Sequence, residues 1–272
     1  VVEESVAAMF KAGIFPGLLL ACAYIAVIVC MAIFFPKFIG GQDKESRAYA
    51  ESYADLSFKE VISKLAPFLV LILLVLGGIY GGLFTPTEAG AVGALGAFVI
   101  AIIKKKLNKK VVWKVLSETG HIVASLLLLI VAATMYSRML AISGLPTEFG
   151  AWIAAAELSL TTILVVYVIT LIIMGTILDT TSIILIMVPL FLPVMMPYDI
   201  NIIWFGIITI VGAEIGLLTP PLGISCYVIK ATLPDKDISL FDVFAGAFPF
   251  AVTMLLVLIL LIVFPQISLV LL

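Results

Sequence analysis

The chain has 272 residues, 64% of them hydrophobic and 12% charged, with a formal net charge of −2 and a mean hydropathy of +1.31. Soluble domains carry about 25% charged residues, so this excess of apolar surface calls for lipid as its solvent. The charge balance offers no basic field for nucleic acid, and a single histidine, His121, argues against a His-based metal site or a catalytic triad.

Spanning a bilayer takes about 20 apolar residues. Residues 1–12 are polar and acidic and lack the basic leader of a signal peptide. The apolar run 13–35 is too long for a signal core and reads as a membrane helix, and the chain, which starts at Val1, is expected to be the C-terminal portion of a longer protein. Residues 36–60 form a polar connector that ends in the amphipathic entry Ser57-Phe58-Lys59-Glu60. A second run, 61–83, ends at Phe84-Thr85-Pro86-Thr87-Glu88, and a third covers 87–103. Thr85 and Glu88 have capping-box spacing. Five lysines crowd the loop 104–110, and a fourth run spans 111–142 up to Ser143-Gly144-Leu145-Pro146. A short amphipathic piece at 147–157 leads to a run at 160–177 and, past an interruption, to apolar sequence reaching about 197. A run at 201–218 also breaks and continues to about 233; the last run is 242–264.

The basic residues set an orientation. With 104–110 on the cytoplasmic side, counting crossings places 13 of the 15 basic residues inside and only Lys11 and Arg138 outside. Ser117, Glu118 and His121 share one helical face near that inner surface and read as a solvated face. Cys22, Cys30 and Cys226 have no metal or CxxC spacing and read as packing residues. Gly77, Gly78, Gly81, Gly82, Gly90, Gly93 and Gly96 recur at the spacing of close helix contacts.

The two interruptions carry the chemistry. In hydrocarbon every backbone N–H and C=O needs a partner, so a helix unwinds only where protein or a polar cavity surrounds it. One interruption is 175–182, where Gly175 precedes Asp179, Thr180, Thr181 and Ser182. The other is 214–223, with Glu214 and Thr219 among Gly216, Pro220, Pro221 and Gly223. Tandem prolines remove two donors and stop a helix. Freed carbonyls and hydroxyls suit a small hard cation such as sodium, and half-helix N-termini suit an anionic substrate. Plainer readings stand beside this one. Asp179 can cap the following helix, Thr219-Pro220 can be a cap followed by proline at the first helical position, and Glu214 can hold the bend. An intramembrane acid is costly and marks Asp179 and Glu214 for attention; paired on one water, they would make an aspartyl-type enzyme.

The run Gly78-Ile79-Tyr80-Gly81-Gly82-Leu83-Phe84-Thr85-Pro86-Thr87-Glu88-Ala89-Gly90-Ala91 resembles a signature of the large membrane subunit of TRAP (tripartite ATP-independent periplasmic) transporters. Glu214-Ile215-Gly216-Leu217-Leu218-Thr219-Pro220-Pro221-Leu222-Gly223 resembles a second signature. Leu178-Asp179, with the run from Ile183 to Pro193, resembles a third. The segment from Ala12 to Leu20 is similar to the helix closing the family's first half. The resemblance implies an all-α, polytopic membrane bundle with discontinuous helices and a re-entrant hairpin, the second half of an inverted-repeat, elevator-type transporter. Residues 1–57 would end the first repeat. Residues 58–272 would form the second, with scaffold helices over 61–142, transport-domain elements over 147–233 and a final helix at 242–264.

The resemblance also implies sodium-driven uptake of organic acids, such as C4-dicarboxylates or sialic acids, across a bacterial or archaeal cytoplasmic membrane, without catalysis and with no cofactor beyond the coupling sodium. Implied partners are a small four-helix membrane subunit, an extracytoplasmic substrate-binding protein and the missing N-terminal half, without which the fragment would be inactive. Carried over by position, Gly175, Thr180, Thr181, Gly216, Thr219 and Pro221 would supply sodium ligands, with Asp179, Ser182 and Glu214 as polar support or near the substrate. Many members have glycine where this chain has Thr180. An ion-coupled carboxylate transporter working without a binding protein is the nearest alternative.

Overall fold

The computed structural model describes residues 5–36, 38, 57–233 and 238–272. Most of the proposed connector 36–60 lies outside them, as do Lys37, Lys44, Arg47 and Lys236 of the charge count. The described residues form helices and no strands. Among them, six helical stretches are long and apolar enough to cross a membrane, so this is a multi-pass, all-α membrane protein.

The chain divides into two compact units, one drawn from Val1–Val27 and Ala124–Leu272 and the other from Ile28–Val123. In the first unit, α1 (Val6–Ala12) and the start of α2 (Ile14–Phe34) precede the end of α5 (Lys109–Ser143). There follow α6 (Leu145–Ala155), α7 (Leu160–Gly175), α8 (Thr180–Met195), a 3-10 turn at Met196–Tyr198, α9 (Ile202–Leu217), α10 (Ile224–Thr232), α11 (Leu240–Val263) and α12 (Gln266–Leu269).

The centre of this unit is α9. It has no polar face and buries residues on every side, including Phe205, Ile208 and Ala213. A helix apolar all round is stable only when surrounded, and α7, α8, α11 and α1 pack on it. Leu171 from α7, Ile183 and Met195 from α8, and Leu258 from α11 complete the core. Polar side chains hold the ends of these helices. Ser159 caps α7, Asn201 accepts from Ile203 N and Trp204 N at 2.9 and 3.1 Å, and Ser239 and Asp242 form a capping box on α11. Trp204 Nε1 donates to the Leu261 carbonyl at 2.8 Å, tying α9 to α11.

A buried polar pair joins α7 to α9. Thr209 donates its hydroxyl proton to the Phe205 carbonyl at 2.8 Å, so across the 2.8 Å gap to Tyr167 the phenol is the donor.

The second unit contains the helical hairpin α3 (Phe58–Tyr80) and α4 (Pro86–Ile103), followed by the first part of α5. The helix expected at 61–83 starts and stops three residues early. It closes at Gly81, and Gly82 takes φ +69°, a left-handed conformation open to glycine. The Thr85–Glu88 capping box forms: Glu88 N donates to Thr85 Oγ1 at 3.3 Å, and Thr85 N donates to Glu88 Oε2 at 2.8 Å. Three of the seven glycines make tight contacts with side chains: Gly78 against Phe84, Gly93 against Val75 and Gly96 against Leu71. At Gly77, Gly82 and Gly90 the space is open. Ser117, Glu118 and His121 lie on α5, where Glu118 and Lys114 form an exposed 3.7 Å ion pair. Cys226 is buried in the first unit, while Cys22 and Cys30 are exposed on α2.

Candidate functional site: two adjacent helix breaks

Both interruptions are present but shorter than expected, at 176–179 instead of 175–182 and at 218–223 instead of 214–223, with Gly175, Thr180, Thr181, Ser182, Glu214 and Gly216 in the flanking helix ends, and the first unit brings them together. The first is short. α7 ends at Gly175, residues 176–179 are non-helical, and α8 resumes at Thr180. Each arm has 16 residues, about 24 Å of helix, and the two pack on each other as a hairpin. Asp179 caps the second arm, as the capping reading expects. Its carboxylate accepts from Thr181 N at 3.0 Å, from Ser182 N at 3.2 Å and from the Ser182 hydroxyl.

The second break is longer. α9 stops at Leu217, and α10 starts only at Ile224. Thr219-Pro220 does not cap a helix, contrary to the plainer reading. Pro220-Pro221 is a cis peptide in the connecting loop, and Gly223, at φ +36°, precedes α10. Two adjacent prolines remove two N–H donors from this loop, and helix resumes only at Ile224.

Three contacts join the breaks. The first is a backbone approach. A Cβ on Gly175 would lie 2.7 Å from the Ala213 carbonyl oxygen and 2.8 Å from Gly216 Cα; one on Gly216 would lie 2.6 Å from the Ile172 carbonyl oxygen. Only glycine at both positions permits this spacing between α7 and α9. Second, Thr180 Oγ1 donates to Glu214 Oε1 at 2.8 Å. Third, Gly223 N donates to the Thr176 carbonyl at 3.0 Å, a main-chain bond from one break to the other.

The remaining predicted residues fall around these contacts. Thr219 Oγ1 donates back to the Ile215 carbonyl at 2.7 Å, which leaves its oxygen lone pairs available as acceptors. Thr181 follows Thr180 in the first turn of α8, and Pro221 sits between Thr219 and Gly223 in the loop. Among the described residues, no backbone N–H donates to the carbonyls of Gly175, Ile177 or Leu178, nor to those of Thr219, Pro220 or Pro221. Oxygen-rich main chain of this kind, held by protein inside an apolar segment, is the setting in which a hard cation finds ligands. The two acids have separate duties: Asp179 caps α8, and Glu214 takes the Thr180 hydroxyl.

Sequence reasoning missed two features. The buried Thr176 is the residue whose carbonyl receives the cross-break bond; its place inside the interruption was the only available signal. The other is a largely apolar crevice of about 470 Å³ beside Thr219 and Pro220, walled by Phe241, Phe244 and Phe248 of α11. The aromatic residues recur every three or four positions, which is the pattern of an ordinary core stripe.

Residues 1–267 match the profile of the tripartite ATP-independent periplasmic transporter, DctM component. The chain is 34% identical over 271 residues to the C4-dicarboxylate TRAP transporter large permease protein DctM of Pseudomonas aeruginosa, covering 98% of this chain and 60% of that protein. It is 30% identical to the sialic acid TRAP transporter large permease protein SiaM of Vibrio cholerae, over 99% of this chain and 60% of the relative. It is 29% identical to the isethionate TRAP transporter permease protein DctMQ of Oleidesulfovibrio alaskensis, over 86% of this chain and 36% of the relative. The chain thus spans about 60% of the length of the first two relatives. All three are named as permeases, not enzymes, which removes the aspartyl-enzyme reading. By the extent of these matches, the chain belongs to the TRAP transporter family, as a DctM-type large permease component.

Proposed function

We propose that this chain provides the ion-handling half of a sodium-coupled importer of organic acids. The supporting observation is the junction of the two breaks, where Gly175 meets Gly216 backbone to backbone and Thr180 reaches Glu214. In this reading the carbonyls of Gly175, Gly216 and Pro221, with the oxygens of Thr180, Thr181 and Thr219, supply sodium ligands. Asp179, Ser182 and Glu214 hold those ligands in place and stand near the substrate. Sodium binding would hold the joined breaks in this arrangement and favour capture of a carboxylate, so the ion gradient drives accumulation.

The relatives named for C4-dicarboxylate, sialic acid and isethionate transport support a small organic acid as cargo. The tripartite family name supports an extracytoplasmic binding protein and a small membrane subunit as partners, and we take that subunit to have four helices. We assign 58–272 to the second of two inverted repeats, with 61–142 as scaffold and 147–233 moving as an elevator, and 1–57 to the end of the first. The lysine-rich loop at 104–110 then faces the cytoplasm across an inner membrane.

Uptake of a labelled organic acid into proteoliposomes holding the whole permease and its partners tests this. Uptake should require sodium, and Thr219→Val should weaken the sodium dependence. Undiminished uptake with potassium in place of sodium would overturn the proposal.

A further inference from the structure

The second unit carries a strongly charged corner that ion coupling does not use. α4 ends with Lys106 N donating to the Ala101 carbonyl at 3.0 Å and Lys105 at φ +53°, a tight left-handed stop. Three residues later, Asn108 Oδ1 accepts from Val111 N at 2.9 Å and caps α5. The loop between is therefore built at both ends, and Lys104, Lys105, Lys106, Lys109 and Lys110 are all exposed on it. The α3–α4 hairpin adds to this charge. Val75 faces Gly93 and Leu71 faces Gly96, and the same antiparallel register places Lys64 level with Lys104. The acids described at this end are Glu60 and Glu118, and Glu118 is engaged by Lys114.

Directly beside the lysines lies a groove of about 480 Å³, lined by Leu107, Asn108, Lys109, Val112, Trp113 and Leu116. Trp113 is 72% exposed in it. Tryptophan favours the headgroup level of a bilayer. The groove thus has a cationic mouth and an apolar floor, on helices that enter the membrane. That pairing matches one molecule class in both parts: phosphate at the lysines and hydrocarbon against Val112, Trp113 and Leu116.

We propose that this corner binds an anionic phospholipid, its headgroup on the lysines of 104–110 and an acyl chain along the Trp113 groove. The inference is independent of the transport reading.

Tryptophan quenching by brominated lipid tests it in the intact permease, reconstituted in phosphatidylcholine vesicles. Brominated phosphatidylglycerol or brominated phosphatidylcholine is added at equal, low mole fraction, and the Trp113 signal is isolated by subtracting Trp113→Phe. Binding predicts preferential quenching by phosphatidylglycerol of at least about fivefold at low salt, collapsing as salt rises. Replacing the five lysines by glutamine should abolish the preference, whereas replacing them by arginine should keep it. Soluble glycerol phosphate at millimolar concentration should not displace the lipid. Equal quenching by the two lipids, a preference that survives the glutamine variant, or full displacement by glycerol phosphate would each overturn the proposal. The salt series needs no variant, so misfolding of the glutamine protein leaves a deciding measurement.

Discussion

The hydroxyl of Thr180 donates to Glu214 Oε1 across 2.8 Å, joining two helix breaks separated by 34 positions in the sequence. A side-chain bond to a carboxylate is stronger than one between neutral groups. Its loss costs both the bond and the satisfaction of an acid within an apolar helix. Thr180→Val and Glu214→Met should each lower stability by about 1 to 2 kcal/mol, with a coupling of about 1 kcal/mol in the double-mutant cycle. Thermal unfolding in detergent measures this, and zero coupling would contradict the contact.

The closest approach of α7 and α9 sets a sharper contrast. Gly175→Ala drives a methyl group onto the Ala213 carbonyl oxygen and Gly216 Cα, and backbone cannot swing aside as a side chain can. It should destabilise by about 1 to 3 kcal/mol, an overpacking cost. Gly90→Ala meets nothing within 4 Å and lies in α4, so it should be neutral or stabilise by up to about 1 kcal/mol. Chemical denaturation of the two variants side by side decides whether the glycines at the break are there for space or by accident of composition.

The Tyr167–Thr209 pair predicts an asymmetry. Tyr167→Phe removes a donor from Thr209, whose own proton remains bound to the Phe205 carbonyl. Its cost should be about 1 kcal/mol. Thr209→Val instead leaves a fully buried phenol O–H without an acceptor, and should cost more, up to about 3 kcal/mol. Equal effects would mean that the donor is assigned the wrong way round.

Gly223 is required by conformation as well as space. It sits at φ +36°, and a Cβ there would lie 2.6 Å from the Phe244 ring and 2.9 Å from the Thr219 carbonyl oxygen. Gly223→Ala should therefore displace the loop, weaken the Gly223–Thr176 bond and expose the second break to protease under conditions where the wild type resists. A digestion pattern identical to wild type would show that the loop absorbs the methyl group without moving.

Much of the architecture was legible because hydrocarbon imposes a single pattern. The last run, expected at 242–264, is observed at Leu240–Val263, and the two interruptions fall where polar and proline residues cluster in apolar sequence. Local chemistry was legible too: the Thr85–Glu88 box and the Asp179 cap depend on residues three apart or closer. Helix ends set by backbone conformation were less so. The run 61–83 stays apolar through Leu83, and its hydropathy does not show that Gly82 turns left-handed after α3 ends at Tyr80. Thr219-Pro220 carries a helix-start signal, but no helix forms there and the next one starts at Ile224, after Gly223. Pairings across the fold were not legible. Thr180 with Glu214 and Tyr167 with Thr209 are each consistent with many partners until packing selects one.

The central claim is that the joined breaks bind sodium, and its most direct measurement is the thermal stability of the whole permease in sodium chloride against potassium chloride at equal ionic strength. An ion bound only by the folded state stabilises it by about 2.7 kcal/mol at a hundred times its dissociation constant. The account predicts a higher melting temperature in sodium, rising with concentration and reduced by Thr181→Val combined with Thr219→Val. Identical melting temperatures in the two salts, or a sodium effect untouched by that double variant, would contradict it.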